Sequence, residues 1–426
     1  MKPRPGLPAG PWLVVGLARS GVAAALALRE RGEQVLGCDA GAPAGLEATA
    51  RAGVELHPGE DGVALLERVR AVVKSPGVPA RAPAIAAARA RGLPVLGELE
   101  LGWRLLENEF VAVTGTNGKT TTVELIGHIH REAGLPVAVA GNVGAAVSGL
   151  VGKVEEGTTI VCEASSFQLE DTEAFAPEAA VLLNLAPDHL DRHGTMEAYR
   201  AAKLKVFAHQ TENDIAVVPP DLDIEIPGAA RRARWDQVQV EEMGLRGRHN
   251  IQNATAAAAV CRARGIDVEA VRTGLRTFKG VKHRLEEIAR KEGVVYVNDS
   301  KATNVASTLV ALDVYPPGVV RLILGGQGKD QEFSALRDPV KRSCKAVYLI
   351  GEDAPKIAAA FEGVGVQVHE CGDLERAVTQ AREAARPGDV VLLSPACASF
   401  DQFADYEARG KRFRELARDP DVRPDR

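Results

Sequence analysis

Val111–Thr122 reads V-A-V-T-G-T-N-G-K-T-T-T. The apolar run Phe110–Val113 predicts a buried strand, and a helix is predicted from about Thr121. Between them lies a turn of Gly and small polar residues. A strand, a Gly-rich turn ending in Lys-Thr and a helix together build a phosphate cradle. Backbone N–H groups at the helix start point at an anion, and the helix dipole favours negative charge there. In that reading Lys119 reaches the outer phosphates, and the Thr120 hydroxyl ligates the magnesium that travels with them. Gly115 and Gly118 let the main chain come close. Val113 stands where the longer pattern has a further glycine, so the motif is a short G-x-x-G-K-[ST]. An ordinary turn with a surface lysine is the alternative, and the flanking strand and helix speak against it.

A chain of 426 residues is long enough for about two to four domains. Its net charge of −5 gives no electrostatic case for nucleic acid. No apolar run approaches the roughly 20 residues that span a bilayer. The segment Met1–Pro11 has basic residues and prolines but not the apolar centre of a signal peptide. Cys38, Cys162, Cys261, Cys344, Cys371 and Cys397 form no C-x-x-C pair. That spacing argues against a zinc site or disulfide framework, suits a reducing cytoplasm, and reads as six small buried hydrophobes.

Outward from the cradle, one cycle repeats. The first third alternates strands (Trp12–Val15, Gln34–Cys38, Val54–Leu56, Ala71–Val73, Val95–Leu96) with helices (Val22–Arg31, Val63–Val69, Ala84–Ala90). Alternation of this kind predicts a parallel, doubly wound sheet whose ligands lie beyond the strand carboxyl ends. Gly16–Gly21, Asp39 and the stretch Ser75-Pro76-Gly77 then share one rim. Gly16–Gly21 lacks the middle glycine of a dinucleotide fingerprint, Ala18 standing there. It is consistent with a diphosphate on a helix N-terminus, with Asp39 for the nucleoside, or with turns that merely close the sheet.

The second region starts near Gly97-Glu98, and its further strands are Val137–Ala140, Thr158–Ala164 and Ala179–Leu183. Glu163, at a strand end beside the cradle, is placed to hold a divalent ion. His189 lies in a loop with Asp188 and Asp191; it is a solvated loop histidine or a ligand. Lys203, in the helix opening at Tyr199, reads from its spacing as a solvated lysine. Asn250 suits an N-cap. Asn250 and Asn253 either cap that helix or meet a base or ribose. The third region begins around Phe278–His283 and predicts another doubly wound sheet, with strands Val294–Val297, Arg321–Leu324, Ala346–Ile350, Val366–His369 and Val390–Leu393. The fold class expected is α/β with three doubly wound domains at 1–97, 98–281 and 282–426: Rossmann-like, P-loop and Rossmann-like. No G-x-S-x-G elbow, no Cys-His nucleophile pair and no kinase signature occurs. Phosphoryl transfer by positioning and charge neutralisation fits what is left.

Eight motifs in order resemble the Mur ligases of peptidoglycan synthesis, nearly end to end. They are G-T-N-G-K-T-T (from Gly115), G-N-V-G (Gly141), E-A-S-S-F-Q-L-E (Glu163), D-H-L-D-R-H (Asp188), Y-R-A-A-K (Tyr199), H-N-x-x-N (His249), H-R (His283) and N-D-S-K-A-T-N (Asn298). S-P-A-C-A-S-x-D-Q-F from Ser394 and the diverged GLARSG turn resemble the subfamily that adds D-glutamate. The D-N-P-R stretch of the diaminopimelate- or lysine-adding sibling is missing. The resemblance implies an ATP-dependent amide ligase that joins D-glutamate to UDP-N-acetylmuramoyl-L-alanine through an acyl phosphate. It implies a cytoplasmic monomer, no nucleic acid and no membrane insertion.

Residue by residue, the resemblance implies that Gly115, Thr116, Asn117, Gly118, Lys119, Thr120 and Thr121 hold ATP, with Asn250, Asn253, Arg284 and Asp299. Two magnesium ions are implied, on Thr120, Glu163, His189 and Lys203; the last matches a family lysine that is carbamylated. Lys119, Glu163, His189 and Lys203 would be the catalytic set. Arg19, Ser20, Asp39, Ser75, Gly77, Asn142 and His189 match the nucleotide-sugar side. Lys301, Thr303, Lys329, Ser399, Phe400 and Tyr406 match the D-glutamate side. Two departures are Ala40, where the family often has a hydroxyl residue, and Phe400, where leucine is common. A sibling ligase or a folylpolyglutamate-synthetase type is the alternative within enzymes. A nucleotide-sugar-binding regulator would have shed Lys119, Glu163 or Lys203, and a nicotinamide dehydrogenase would need the complete glycine fingerprint.

Overall fold

The computed structural model describes residues 2–43, 45–239, 243–245, 248–328 and 331–418. They fall into two compact units, 1–244 with 250–278, and 245–249 with 279–426.

The first unit holds two sheets. One comprises β1 (Trp12–Val15), β2 (Val35–Asp39), β3 (Glu55–Pro58), β4 (Ala71–Lys74) and β5 (Val95–Gly97), all parallel in the order β3-β2-β1-β4-β5. The strand order reverses between β1 and β4, which opens a crevice at their carboxyl ends. Trp12–Val15 is buried throughout, as a strand covered on both faces requires. Trp12, Val14 and Val73 enter one apolar cluster, and Leu13, Val15 and Val72 another.

The second sheet holds β6 (Phe110–Thr114), β7 (Val137–Gly141), β8 (Thr159–Glu163), β9 (Ala179–Leu182), β10 (Ile215–Val217) and β11 (Arg231–Arg232), ordered β11-β10-β9-β6-β8-β7. It too is parallel. The cradle strand β6 sits between β8 and β9, so Glu163 is paired beside Val113 in register. The side chains of Trp103, Phe110 and Phe175 pack edge-on beneath this sheet.

The second unit holds β12 (Glu286–Lys291), β13 (Val294–Asn298), β14 (Val320–Gly325), β15 (Cys344–Ile350), β16 (Gln367–Gly372) and β17 (Val390–Leu393), ordered β12-β13-β17-β14-β15-β16. Strand β12 runs antiparallel to β13, a departure from the uniform winding expected. Its sequence E-E-I-A-R-K buries only Ile288, and such charge is how an edge strand resists further pairing.

Three helix starts differ from expectation. The first helix is Arg19–Glu30, so Arg19 and Ser20 belong to its first turn. The cradle helix is Lys119–Glu132. Asn250 does not cap its helix: it lies inside Arg248–Ala263, and its amide oxygen accepts from Asn253 Nδ2 at 3.2 Å. The six cysteines are free and buried, as their spacing suggested, and burial pushes the Cys38, Cys261, Cys344 and Cys397 thiols up to about 12. Among the described residues no helix is long and apolar enough to cross a membrane.

Candidate active site

The 115–118 turn is held open from outside. Thr116 N donates to Asn184 O (3.0 Å), and Asn117 N to Asn184 Oδ1 (2.8 Å). The Thr116 hydroxyl donates to Ala186 O and meets Tyr199 Oη at 3.0 Å. The loop is therefore fastened to the chain leaving β9 and to the Met196–Leu204 helix. Gly118 caps the cradle helix at φ +85°, in the left-handed region. A Cβ there would stand 2.1 Å from Asn253 Oδ1, which places that amide directly against the loop. Lys119 Nζ donates to Gly115 O (2.9 Å) and Thr116 O (2.8 Å). Its charge thus lies over the turn that an anion would enter, with Thr120 and Thr121 behind it on the first helical turn.

Glu163 is 2% exposed. It accepts from Thr120 Oγ1 at 2.8 Å and from Asn142 Nδ2 at 3.0 Å. Both donors are neutral, so the buried negative charge is not offset by either, and a cation would be stabilised beside it. Oxygen ligands from a carboxylate and a hydroxyl are what a magnesium ion takes alongside phosphate and water. The donor set therefore fits that ion.

Lys203 is 2% exposed, which overturns the solvated reading of its spacing. Its Nζ donates to Gly115 O at 2.7 Å and lies 4.6 Å from the centre of the Tyr199 ring. Burial pulls the amine down to about 7, and the nearby charge of Lys119 adds to the effect. A lysine that loses its proton near neutrality is a nucleophile under ordinary conditions.

His189 lies on the chain after β9, where it precedes the Leu190–His193 helical turn. Its φ is +53°, its side chain is half-exposed, and its ring lies 4.7 Å from that of Phe167. Its Nε2 lies 3.6 Å from Asp188 Oδ2. Among the described residues no three His, Cys, Asp or Glu side chains converge on a metal position. A first ion here would lean on Thr120, Glu163 and bound phosphate.

Six of the seven nucleotide-sugar candidates come together, and His189 does not line their cleft. Arg19, Ser20, Asp39, Ser75, Gly77 and Asn142 line a single cleft of about 490 Å³ at the carboxyl ends of β1, β2 and β4. Asp39 is partly committed: its carboxylate accepts from Leu17 N (2.7 Å) and Gly41 N (2.9 Å), fixing the turn. Arg19 donates to Asn142 O at 3.1 Å and so ties this cleft to the G-N-V-G segment.

Sequence reasoning missed two residues here. Gln168 also lines the cleft and forms a capping box with Ser165, a pattern legible as S-x-x-Q. Arg192 lies 4.1 Å over the Phe167 ring, binds Glu170, and donates to Pro76 O (2.9 Å) and Val78 O (3.3 Å). Nothing local in D-H-L-D-R-H announces those partners.

In the second unit, Asp299 accepts from Ser394 Oγ (2.8 Å) and Leu285 N (3.2 Å), and burial raises its carboxyl to about 7. Lys301 lies 5.6 Å from the Tyr406 ring centre. Thr303 N donates to Lys301 O, Ser399 is buried, and Phe400 is 65% exposed. Arg284 follows His283, whose φ is +62°. Lys329 lies outside the described residues.

Comparison with known proteins follows this geometry. The chain matches family models described as the Mur ligase MurD-like N-terminal domain over 11–97, the Mur ligase middle domain over 113–237, and the Mur ligase glutamate ligase domain over 283–397. It is 42% identical to a UDP-N-acetylmuramoylalanine–D-glutamate ligase of Acidobacterium capsulatum, over 95% of each chain. It is 44% identical to the enzyme of the same name from Anaeromyxobacter dehalogenans, over 95% of this chain and 96% of that one. Among solved structures, UDP-N-acetylmuramate–alanine ligase of Thermotoga maritima superposes with a TM-score of 0.61 at 19% identity, covering 96% and 99% of the two chains. MurF ligase of the same organism, solved with ADP, gives 0.58 at 18%, covering 90% and 94%. These last two establish the three-domain fold. The chain belongs to the Mur ligase family, and its similarity to the D-glutamate-adding members extends over nearly its whole length.

Proposed function

We propose that this protein is an ATP-dependent ligase that joins D-glutamate to UDP-N-acetylmuramoyl-L-alanine, a step in making the peptidoglycan precursor. The single observation that carries the reading is the grouping of Lys119, Thr120, Glu163 and Lys203 around one turn at the rim of the middle sheet. The γ-phosphoryl group of ATP passes to the alanine carboxylate, giving an acyl phosphate and ADP. The amine of D-glutamate then attacks the acyl carbon, phosphate leaves, and the new amide remains.

The physical difficulty is that two anions must meet. Lys119 and the 115–121 backbone bind the phosphates, while Asn250 and Asn253 border the nucleotide. Thr120 and Glu163 would hold one magnesium ion, and Lys203, as its carbamate, would hold a second with His189. Such ions would supply positive charge against that of the two reacting anions. Asn142 positions the alanine carboxylate, and Arg19, Ser20, Asp39, Ser75 and Gly77 hold the nucleotide-sugar. In the second unit Arg284 and Asp299 serve the nucleotide. Lys301, Thr303, Lys329, Ser399, Phe400 and Tyr406 receive D-glutamate, whose carboxylates suit charge-assisted bonds. We divide the chain at 1–97, 98–281 and 282–426, and read it as a monomer working in the cytoplasm. Six reduced, buried cysteines fit that compartment.

Incubation with ATP and radiolabelled D-glutamate is expected to label UDP-N-acetylmuramoyl-L-alanine. Labelling of UDP-N-acetylmuramate by L-alanine instead would assign the chain to a sibling activity.

A further inference from the structure

Arg409 is buried at 1% exposure, yet among the described residues no carboxylate is bonded to its guanidinium; its partners there are a hydroxyl and carbonyls. Nε donates to Ser300 Oγ at 2.9 Å. Nη2 donates to Ser300 O at 2.9 Å and to Cys397 O at 3.0 Å, and Nη1 to Ala398 O at 3.2 Å. One side chain on the Tyr406–Arg418 helix thus joins the loop after β13 to the loop after β17. Residues 301 and 303 follow directly on the first loop, and 399 and 400 on the second.

Two neighbours extend the clamp. Gly410 leaves space for His283: a Cβ there would stand 2.1 Å from His283 Nδ1. Asn298 Nδ2 bridges that nitrogen (3.0 Å) and Gly410 O (3.1 Å). On the other side Gln327 and Ala398 exchange backbone hydrogen bonds of 3.0 and 2.9 Å, so the loop after β14 is fastened to the same point.

A buried cation spending its donors on four loop acceptors carries a desolvation cost that outweighs the attraction of nearby Asp401. An apolar residue would fill the space without that cost. What the guanidinium supplies is a rigid, planar set of distances between two loops. We infer that Arg409 is a positioning residue, setting the separation of the 301–303 and 399–400 segments and thereby the affinity for the amino-acid substrate. This rests on the reading of those segments as the D-glutamate side.

Arg409→Lys keeps the charge but not the fork. It is expected to raise KM for D-glutamate by about tenfold or more. KM for ATP and for the nucleotide-sugar should stay within about twofold. Ser300→Ala removes the partner of Nε together with the hydroxyl's own donation to Tyr406 O (2.8 Å), leaves the other guanidinium bonds in place, and is expected to move the same constant in the same direction by less. Hydrogen exchange without substrate should speed up in 298–303 and 396–400 in both variants. Unchanged KM for D-glutamate in a folded variant, or an equal rise in all three constants, would overturn the inference. Should the wild type not use D-glutamate at all, the substrate reading fails. Exchange unchanged at those two segments would then overturn the clamp as well, and faster exchange would uphold it.

Discussion

Lys203→Ala is expected to abolish ligation, lowering the rate by about 10³-fold or more. The wild-type amine is buried, sits on Gly115 O, and is held down to about 7 by burial and by Lys119. An ammonium at that place would oppose the charge arrangement the reaction needs. The neutral amine adds carbon dioxide, forming an N–C bond and releasing a proton, so a cationic side chain becomes an anionic one. The sign of the pH dependence follows. Below about 7 the amine is protonated and carbamate is lost; above it the carbamate is favoured. Wild-type activity should therefore fall as pH drops through about 7, and raised carbon dioxide should move that limb to lower pH. In Lys203→Ala a small carboxylate such as formate should restore part of the rate without bicarbonate. A fully active Lys203→Ala enzyme would remove the carbamate from the account.

Glu163→Gln is expected to lower kcat by about 10²–10³-fold. The amide is the same size, so Thr120 and Asn142 keep a partner after a simple flip. The charge is lost, and the one oxygen that becomes an amide nitrogen can donate to the Thr120 hydroxyl. The magnesium concentration giving half-maximal rate should rise, while KM for the nucleotide-sugar changes little. Thermal stability should hold or increase, because a buried carboxylate facing neutral donors is a liability to the fold. A fall in melting temperature that matched the fall in rate would recast Glu163 as structural.

How much of this could be read from sequence varies with how local the determinants are. The cradle was legible because strand, turn, lysine and hydroxyl lie within a dozen successive residues. The rim residues of the first sheet were legible for the same reason: alternation places them, and the cleft at 16–20, 39 and 75–78 assembled as expected. Lys203 was not legible by pattern. Its burial depends on Tyr199 one turn away and on Gly115, 88 residues distant. Only the family resemblance had singled it out. The charged edge strand β12 carries one buried apolar side chain, too few to set a period. Asn250 has the residue type of a cap, but the helix begins two residues earlier. Arg409 is not legible in sequence, because a lone arginine in a helix looks solvated and its four acceptors lie in two loops about a hundred and about ten residues away.

The central claim is that the carboxylate of the nucleotide-sugar takes the phosphoryl group before the amine arrives. Substrate carrying 18O in its alanine carboxylate tests this most directly, through the mass of the phosphate released. The account predicts one 18O atom in each phosphate formed. Phosphate free of label would contradict it.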